Sequence, residues 1–121
     1  ITFVSAHPKS PMRGCKEWSA GIIGLGELAT TQKQGDITVV LGDLNSGTDH
    51  PSFRKLLNSG FKDAALCEAK GRHATFPSWL PWPRIILDHV LFTKGLYASD
   101  VSSFCVEGSD HLALVATLTL K

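Results

Sequence analysis

The stretch VVLGDLNSGTDHPSF, residues 39–53, runs three apolar side chains into Gly42, Asp43, Leu44 and Asn45, then into small polar residues and a proline. Taken with DIT just before it, residues 36–42 read as a continuous apolar strand of the kind buried on both faces. Asp43 and Asn45 stand at i and i+2 on its carboxyl end. Their side chains point the same way as long as extended geometry persists. Gly42 allows a close backbone approach or a sharp turn. An oxygen-rich pair on a rigid strand suits Mg²⁺ or a phosphate-bound water. As a bare tetrad, the same residues serve about equally well as an ordinary turn.

Outward from this stretch, ITFVSAH (1–7) is apolar and β-branched and reads as a strand ending at His7. Trp18, Ile22, Leu25 and Ala29 fall at helical spacing, predicting a helix from Glu17 to Lys33. Gly21, Gly24 and Gly26 weaken it by up to about 1 kcal/mol each relative to Ala, and close packing on a sheet would explain such small residues. Pro51 opens a short helix, PSFRKLLNSG, closed by Gly60. FKDAALCEAKG fits helix and strand alike. HATFPSWLPWPR is a stiff loop or an edge strand. IILDHVLFTKG (85–95) is a strong strand, YASDVSSFCVEG a weaker one and LALVATLTL (112–120) a final one. Several direct strand-to-strand connections predict a layered α/β or α+β architecture rather than a βαβ series.

The chain has 121 residues, is 43% hydrophobic and carries a net charge of +1. That suits one globular domain or part of one. The apolar runs are too short to span a bilayer. No Lys/Arg stripe appears, which argues against a nonspecific nucleic-acid binder. The opening at Ile1, already inside a strand, suggests the later part of a longer domain. Cys15, Cys67 and Cys105 lack metal-type spacing and are expected to be mostly buried thiols.

A charge inside IILDHVLF is costly unless it is paired or faces a site. Alternation puts Asp88 on one face and His89 on the other. Asp110 and His111 follow Gly108 and Ser109 and precede the last strand. His111 is poised to exchange protons near neutral pH. An aspartate on its far ring nitrogen would fix its tautomer and raise its basicity. Asp88 is the candidate for that role, which leaves Asp110 for metal. His7 ends the first strand. His50 and His73 are expected to face solvent. His7, Asp43 with Asn45, Asp88, and Asp110 with His111 thus arrive on separate strand ends, and open sheets gather ligands at the carboxyl ends of their strands.

The ordered set SAH, VVLGDLNS, ILDHVLF and GSDHLALVATL resembles the endonuclease/exonuclease/phosphatase superfamily, the deoxyribonuclease I-like enzymes. The resemblance spans Ile1 to Leu120 and covers the C-terminal half of the family domain. It implies a four-layer α/β/β/α sandwich in the α+β class and Mg²⁺-dependent phosphoester hydrolysis, with Mn²⁺ as the alternative cation. His111 would act as base on the attacking water or hold a phosphoryl oxygen. Asp88 would orient His111. Asp43 would position or deprotonate the nucleophile, or protonate the leaving oxygen. Asn45 would hold the phosphate. His7 matches a second histidine of the nuclease and sphingomyelinase branches. Asp43, Asn45 and Asp110 would lie at or near metal.

The family's principal metal-binding glutamate lies in the first half and has no match here. The missing N-terminal half is therefore an expected partner, alongside a phosphoester substrate: nucleic acid, lipid or small molecule. Residues 1–121 alone are expected to be inactive. Location is open, with a lean toward the bacterial cell envelope or secretion.

A noncatalytic phosphate- or protein-binding domain of the same fold is the alternative, though a mere scaffold has no reason to keep every partner of the set. GLGELA (24–29) fits a dinucleotide pattern, but no clean strand precedes it. A two-metal phosphoesterase of another fold would need more His and Asp ligands. Trp79 and Trp82 could stack on a base or meet a lipid headgroup, and Arg84 reads as a solvated charge.

Overall fold

The computed structural model describes residues 1–10, 12, 14–68, 73–80 and 84–121. In chain order the elements are β1 (Thr2–Ser5), α1 (Cys15–Leu25), α2 (Glu27–Thr30), β2 (Thr38–Asp43), α3 (Pro51–Asn58), β3 (Lys62–Asp63), α4 (Ala64–Glu68), β4 (Asp88–Phe92), β5 (Leu96–Cys105) and β6 (Leu112–Leu120). One sheet has the order β1-β2-β4-β3, and β5 pairs with β6 in a second. β1 runs parallel to β2, and β4 runs antiparallel to both β2 and β3.

The continuous apolar character of β2 follows from its place between layers. Val40 belongs to a core with Ile22 of α1, Phe53 and Leu56 of α3, and Leu91. Val39, one residue earlier and on the opposite face, packs with Phe92, Leu96 and Val101 against the second sheet. Consecutive residues of one strand thus fill two cores. Along β6, Leu114, Ala116 and Leu118 face the second core. A bulge between Ala98 and Asp100 shifts the alternation of β5 by one residue, so that Ala98 and Val101 both point inward. The other face of this hairpin leaves Tyr97, Phe104 and Val115 exposed. The architecture is α+β, with helix, sheet and sheet stacked in that order.

Several boundaries differ from those expected. The helix over residues 17–33 is two helices, α1 and α2, broken at Gly26. A Cβ at Gly26 would lie 2.7 Å from Ser59 Oγ, so the glycine permits contact with the end of α3. Gly24 lies inside α1 with open space where its Cβ would be, so neither sheet packing nor a phosphate-binding turn explains it. The strand over 85–95 is reduced to β4, because Ile85 instead bridges Phe76. The ambiguous segment becomes β3 and α4, and its residues 69–71 lie outside the described ones. Cys15, Cys67 and Cys105 are exposed rather than buried, each at or next to the end of its element. Among the described residues, no helix is long and apolar enough to cross a membrane.

Gly42 supports the link between β1 and β2. Its φ of 145° is closed to most side chains, and a Cβ there would sit 2.1 Å from the Ala6 carbonyl oxygen. Gly42→Ala is expected to lower stability by about 1–3 kcal/mol or more. Chemical denaturation checks this, and an unchanged midpoint contradicts the packing described.

Candidate active site

The register of β2 against β4 places Asp43 opposite Asp88. Asp43 shares the face of Val39, and Asp88 shares that of Val90, so both carboxylates point toward the second sheet. His111, just before β6, arrives from that sheet. Because β4 is antiparallel to β2, Asp88 opens its strand and His111 precedes its own. Asp43 with Asn45, and His7, follow the carboxyl-end rule expected from the sequence, whereas Asp88 and His111 precede their strands or open them.

His111 Nδ1 lies 2.7 Å from Asp88 Oδ2. The same oxygen accepts a 2.6 Å hydrogen bond from Thr75 Oγ1. With Nδ1 donating to Asp88, His111 turns Nε2 toward Asp43 Oδ2, 3.5 Å away. His7 Nε2 stands 3.6 Å from that same oxygen, its side chain 73% exposed. The facing atoms of Asp43, Asp88 and His111 all lie within 4.8 Å of one another, a group that could hold a metal ion.

Asn45 does not continue the strand. Its φ is 51°, and its backbone N–H donates to Asp43 Oδ1 at 2.9 Å. Its side-chain amide donates to the Pro8 carbonyl at 3.0 Å, and the Asn45 backbone carbonyl accepts from Trp18 Nε1 at 3.0 Å. Strand arm and turn therefore coexist in one tetrad: Asp43 is carried by β2, and Asn45 by the turn that Asp43 caps. Asp110 is exposed, and its backbone carbonyl accepts from Ser78 N–H at 2.7 Å. It lies outside the Asp43–Asp88–His111 group.

The chain matches the Endonuclease/Exonuclease/phosphatase family model over residues 3–111. It belongs to the Endonuclease/Exonuclease/phosphatase family. Members of this family are hydrolases acting on phosphoesters. No curated protein matches the chain. Among solved structures, a conserved protein of unknown function from Enterococcus faecalis is 20% identical, with a TM-score of 0.76, over 98% of this chain and 50% of that one. A mannosyl-6-phosphatase from Bacteroides thetaiotaomicron is 17% identical, with a TM-score of 0.72, over 98% and 51%. D. rerio TDP2 in complex with a single-strand DNA product is 14% identical, with a TM-score of 0.76, over 97% and 55%. These likenesses establish the deoxyribonuclease I-like fold. The chain spans about half the length of the structures it matches.

Within this cluster, the electrostatics of His111 are shaped by its neighbours. Burial alone would lower its pKa. The hydrogen bond to Asp88 and the charges of Asp88, Asp43 and Asp110 together outweigh that, and the net shift is upward. Phe76 packs on the ring at 4.8 Å between centroids. Thr75 carried no signal in the sequence, because nothing local marks a threonine that will meet an aspartate 13 positions later.

Other expectations are corrected. His50 does not face solvent freely: its Nδ1 accepts from Gly47 N–H at 3.0 Å, and Trp18 packs edge-on against it. His73 is mostly buried beside Glu68, 3.4 Å away. Arg84 is no solvated charge, since it donates to the carbonyls of Pro77, Ser78 and Leu80 and staples its own loop. Trp79 is 71% exposed, and Trp82 lies outside the described residues.

Thr75→Val keeps the side-chain shape and removes the hydroxyl from Asp88; a loss of about 1.5–3 kcal/mol is expected for a hydrogen bond to a charged acceptor. The pH dependence has a fixed sign. A histidine with a raised folded pKa contributes stability that is complete below its unfolded value, about 6.5, and lost as pH rises through the folded value. Asp88→Asn removes that contribution. The stability gap between the native chain and this variant should therefore shrink from pH 6 to pH 8, as read by denaturant titrations. A gap that widens over that range contradicts the assigned pairing.

Proposed function

We propose that the chain carries the proton-transfer side of a metal-dependent phosphoester hydrolase. The observation that carries this reading is His111, bound to Asp88 through Nδ1 and turned toward Asp43 through Nε2. In its neutral form, Nε2 presents a lone pair where a water between it and a phosphoryl group would give up its proton. Asp88 then stabilises the imidazolium, and Thr75 holds Asp88 in place. General base catalysis of this kind is worth roughly 10²–10⁴-fold.

As a carboxylate, Asp43 Oδ2 orients that water; in its protonated form the Asp43 carboxyl would instead give its own proton to the leaving oxygen. One N–H of the Asn45 amide is held by Pro8, which leaves the second for a phosphoryl oxygen. His7, across Asp43 from His111, donates to the same developing charge.

The donor set fits Mg²⁺ or Mn²⁺. Magnesium is commonly held by one or two carboxylates with waters and substrate phosphates completing its shell. Asp43 Oδ2 stands beyond ordinary hydrogen-bond length from both histidines. Asp43 is assigned to the cation, with Asn45 in the turn that follows it and Asp110, next to His111 in the chain, as the further candidate ligands. When bound, the cation neutralises the transferring group and lowers the pKa of water. The principal glutamate implied by the family resemblance has no counterpart in these residues. A second half of the domain is proposed to supply it, and the exposed face of β5 and β6 is where further layers can add.

In the intact protein, His111→Ala and Asp43→Ala are each expected to abolish hydrolysis of bis-p-nitrophenyl phosphate in Mg²⁺ while circular dichroism shows the fold retained. Metal-dependent turnover surviving in either variant defeats the assignment. The 121-residue chain assayed alone is expected to show negligible turnover. Robust hydrolysis by it would show that no further ligand is required.

A further inference from the structure

His89 lies on the opposite face of β4 from Asp88, away from the proposed chemistry, and is 3% exposed. Its Nδ1 is 2.7 Å from Asp63 Oδ2, and its Nε2 is 2.7 Å from the backbone carbonyl of Ser46. A carbonyl oxygen can only accept, so Nε2 carries a proton. Either the ring or the carboxyl supplies the proton of the other bond. Asp63 is itself 4% exposed, and its other oxygen accepts the Ala65 N–H at 3.0 Å. The ring also packs on Phe53 at 4.3 Å between centroids.

Ser46 follows Asn45 and is fully buried, with its hydroxyl lacking a hydrogen-bond partner. Its side chain therefore anchors nothing, and the His89 bond to its carbonyl holds this point of the loop. On the other side of the same turn, Trp18 and Pro8 hold Asn45.

We propose that His89 is a positioning residue: it ties the turn bearing Asp43 and Asn45 to β3 and β4 and so sets that turn's place relative to Asp88 and His111. Adjacent residues of one strand then fix the two sides of the site. Asp88 holds His111 on one face, and His89 holds the Asp43–Asn45 turn on the other. The catalytic consequence rests on the hydrolase reading above, whereas the mechanical claim does not.

His89→Phe separates the two contributions, because phenylalanine keeps a ring against Phe53 and loses both hydrogen bonds. Amide hydrogen exchange on the 121-residue chain is expected to accelerate selectively at residues 44–47, with the β5–β6 hairpin unchanged. Exchange that is unaltered, or that rises uniformly across the chain, overturns the proposal in favour of plain core packing. If the variant does not fold, the native chain still decides: His89 Nε2–H should give a slowly exchanging low-field proton resonance with a contact to Ser46, and its absence refutes the clamp. In the intact enzyme the same variant is expected to lower kcat about 10–100-fold with KM little changed. Selective exchange without any loss of kcat would refute the positioning role while leaving the clamp standing. No turnover in the native protein would count against the hydrolase reading instead.

Discussion

Asp43 faces Asp88 across the antiparallel pairing of β2 and β4, and the rest of the site answers that juxtaposition. Like charges directly opposite in a sheet are destabilising. Here each carboxylate is met by donors: Asp88 by His111 and Thr75, Asp43 by the Asn45 N–H, with His7 and His111 facing its outer oxygen. A one-residue slip of β4 would send Asp88 into the helix-side core and His89 toward His111. The two apolar cores forbid that slip, since Leu91 and Phe92 fill opposite sides of the sheet. Packing that has no part in chemistry thus determines which acid meets which base.

Much of this was legible in the chain itself. The run over residues 36–42 signalled a strand buried on both faces, and Val39 and Val40 do enter different cores. A charge in the middle of an apolar strand pointed to Asp88 as a paired residue. Glycine at position 42 pointed to a close approach, and the Ala6 carbonyl makes it.

What stayed hidden depends on tertiary partners. Asn45 was expected to share the direction of Asp43, but the turn begins there and its φ becomes positive. The histidines at positions 50 and 73 looked solvated because their partners, Gly47 with Trp18 and Glu68, are set by the loop and helix contacts of the folded chain. His89 could be assigned to a face but not to a function, because Asp63 lies in the segment whose secondary structure was ambiguous. Strand direction was also invisible: periodicity does not distinguish a strand that ends at a site from one that begins there.

The family relationship and the geometry address different parts of the problem. The family match over residues 3–111 establishes kinship and fold. The proposal that His111, Asp88 and Asp43 form the reacting group rests on their distances in this chain. The most direct test is paramagnetic: Mn²⁺ is titrated into the isotopically labelled chain while amide and histidine ring signals are followed by NMR. The account predicts early, selective broadening of Asp43, Asn45, Asp88, Asp110 and His111, with the turn between β4 and β5, residues 93–95, unaffected. Uniform broadening, or broadening centred on another part of the surface, would contradict it.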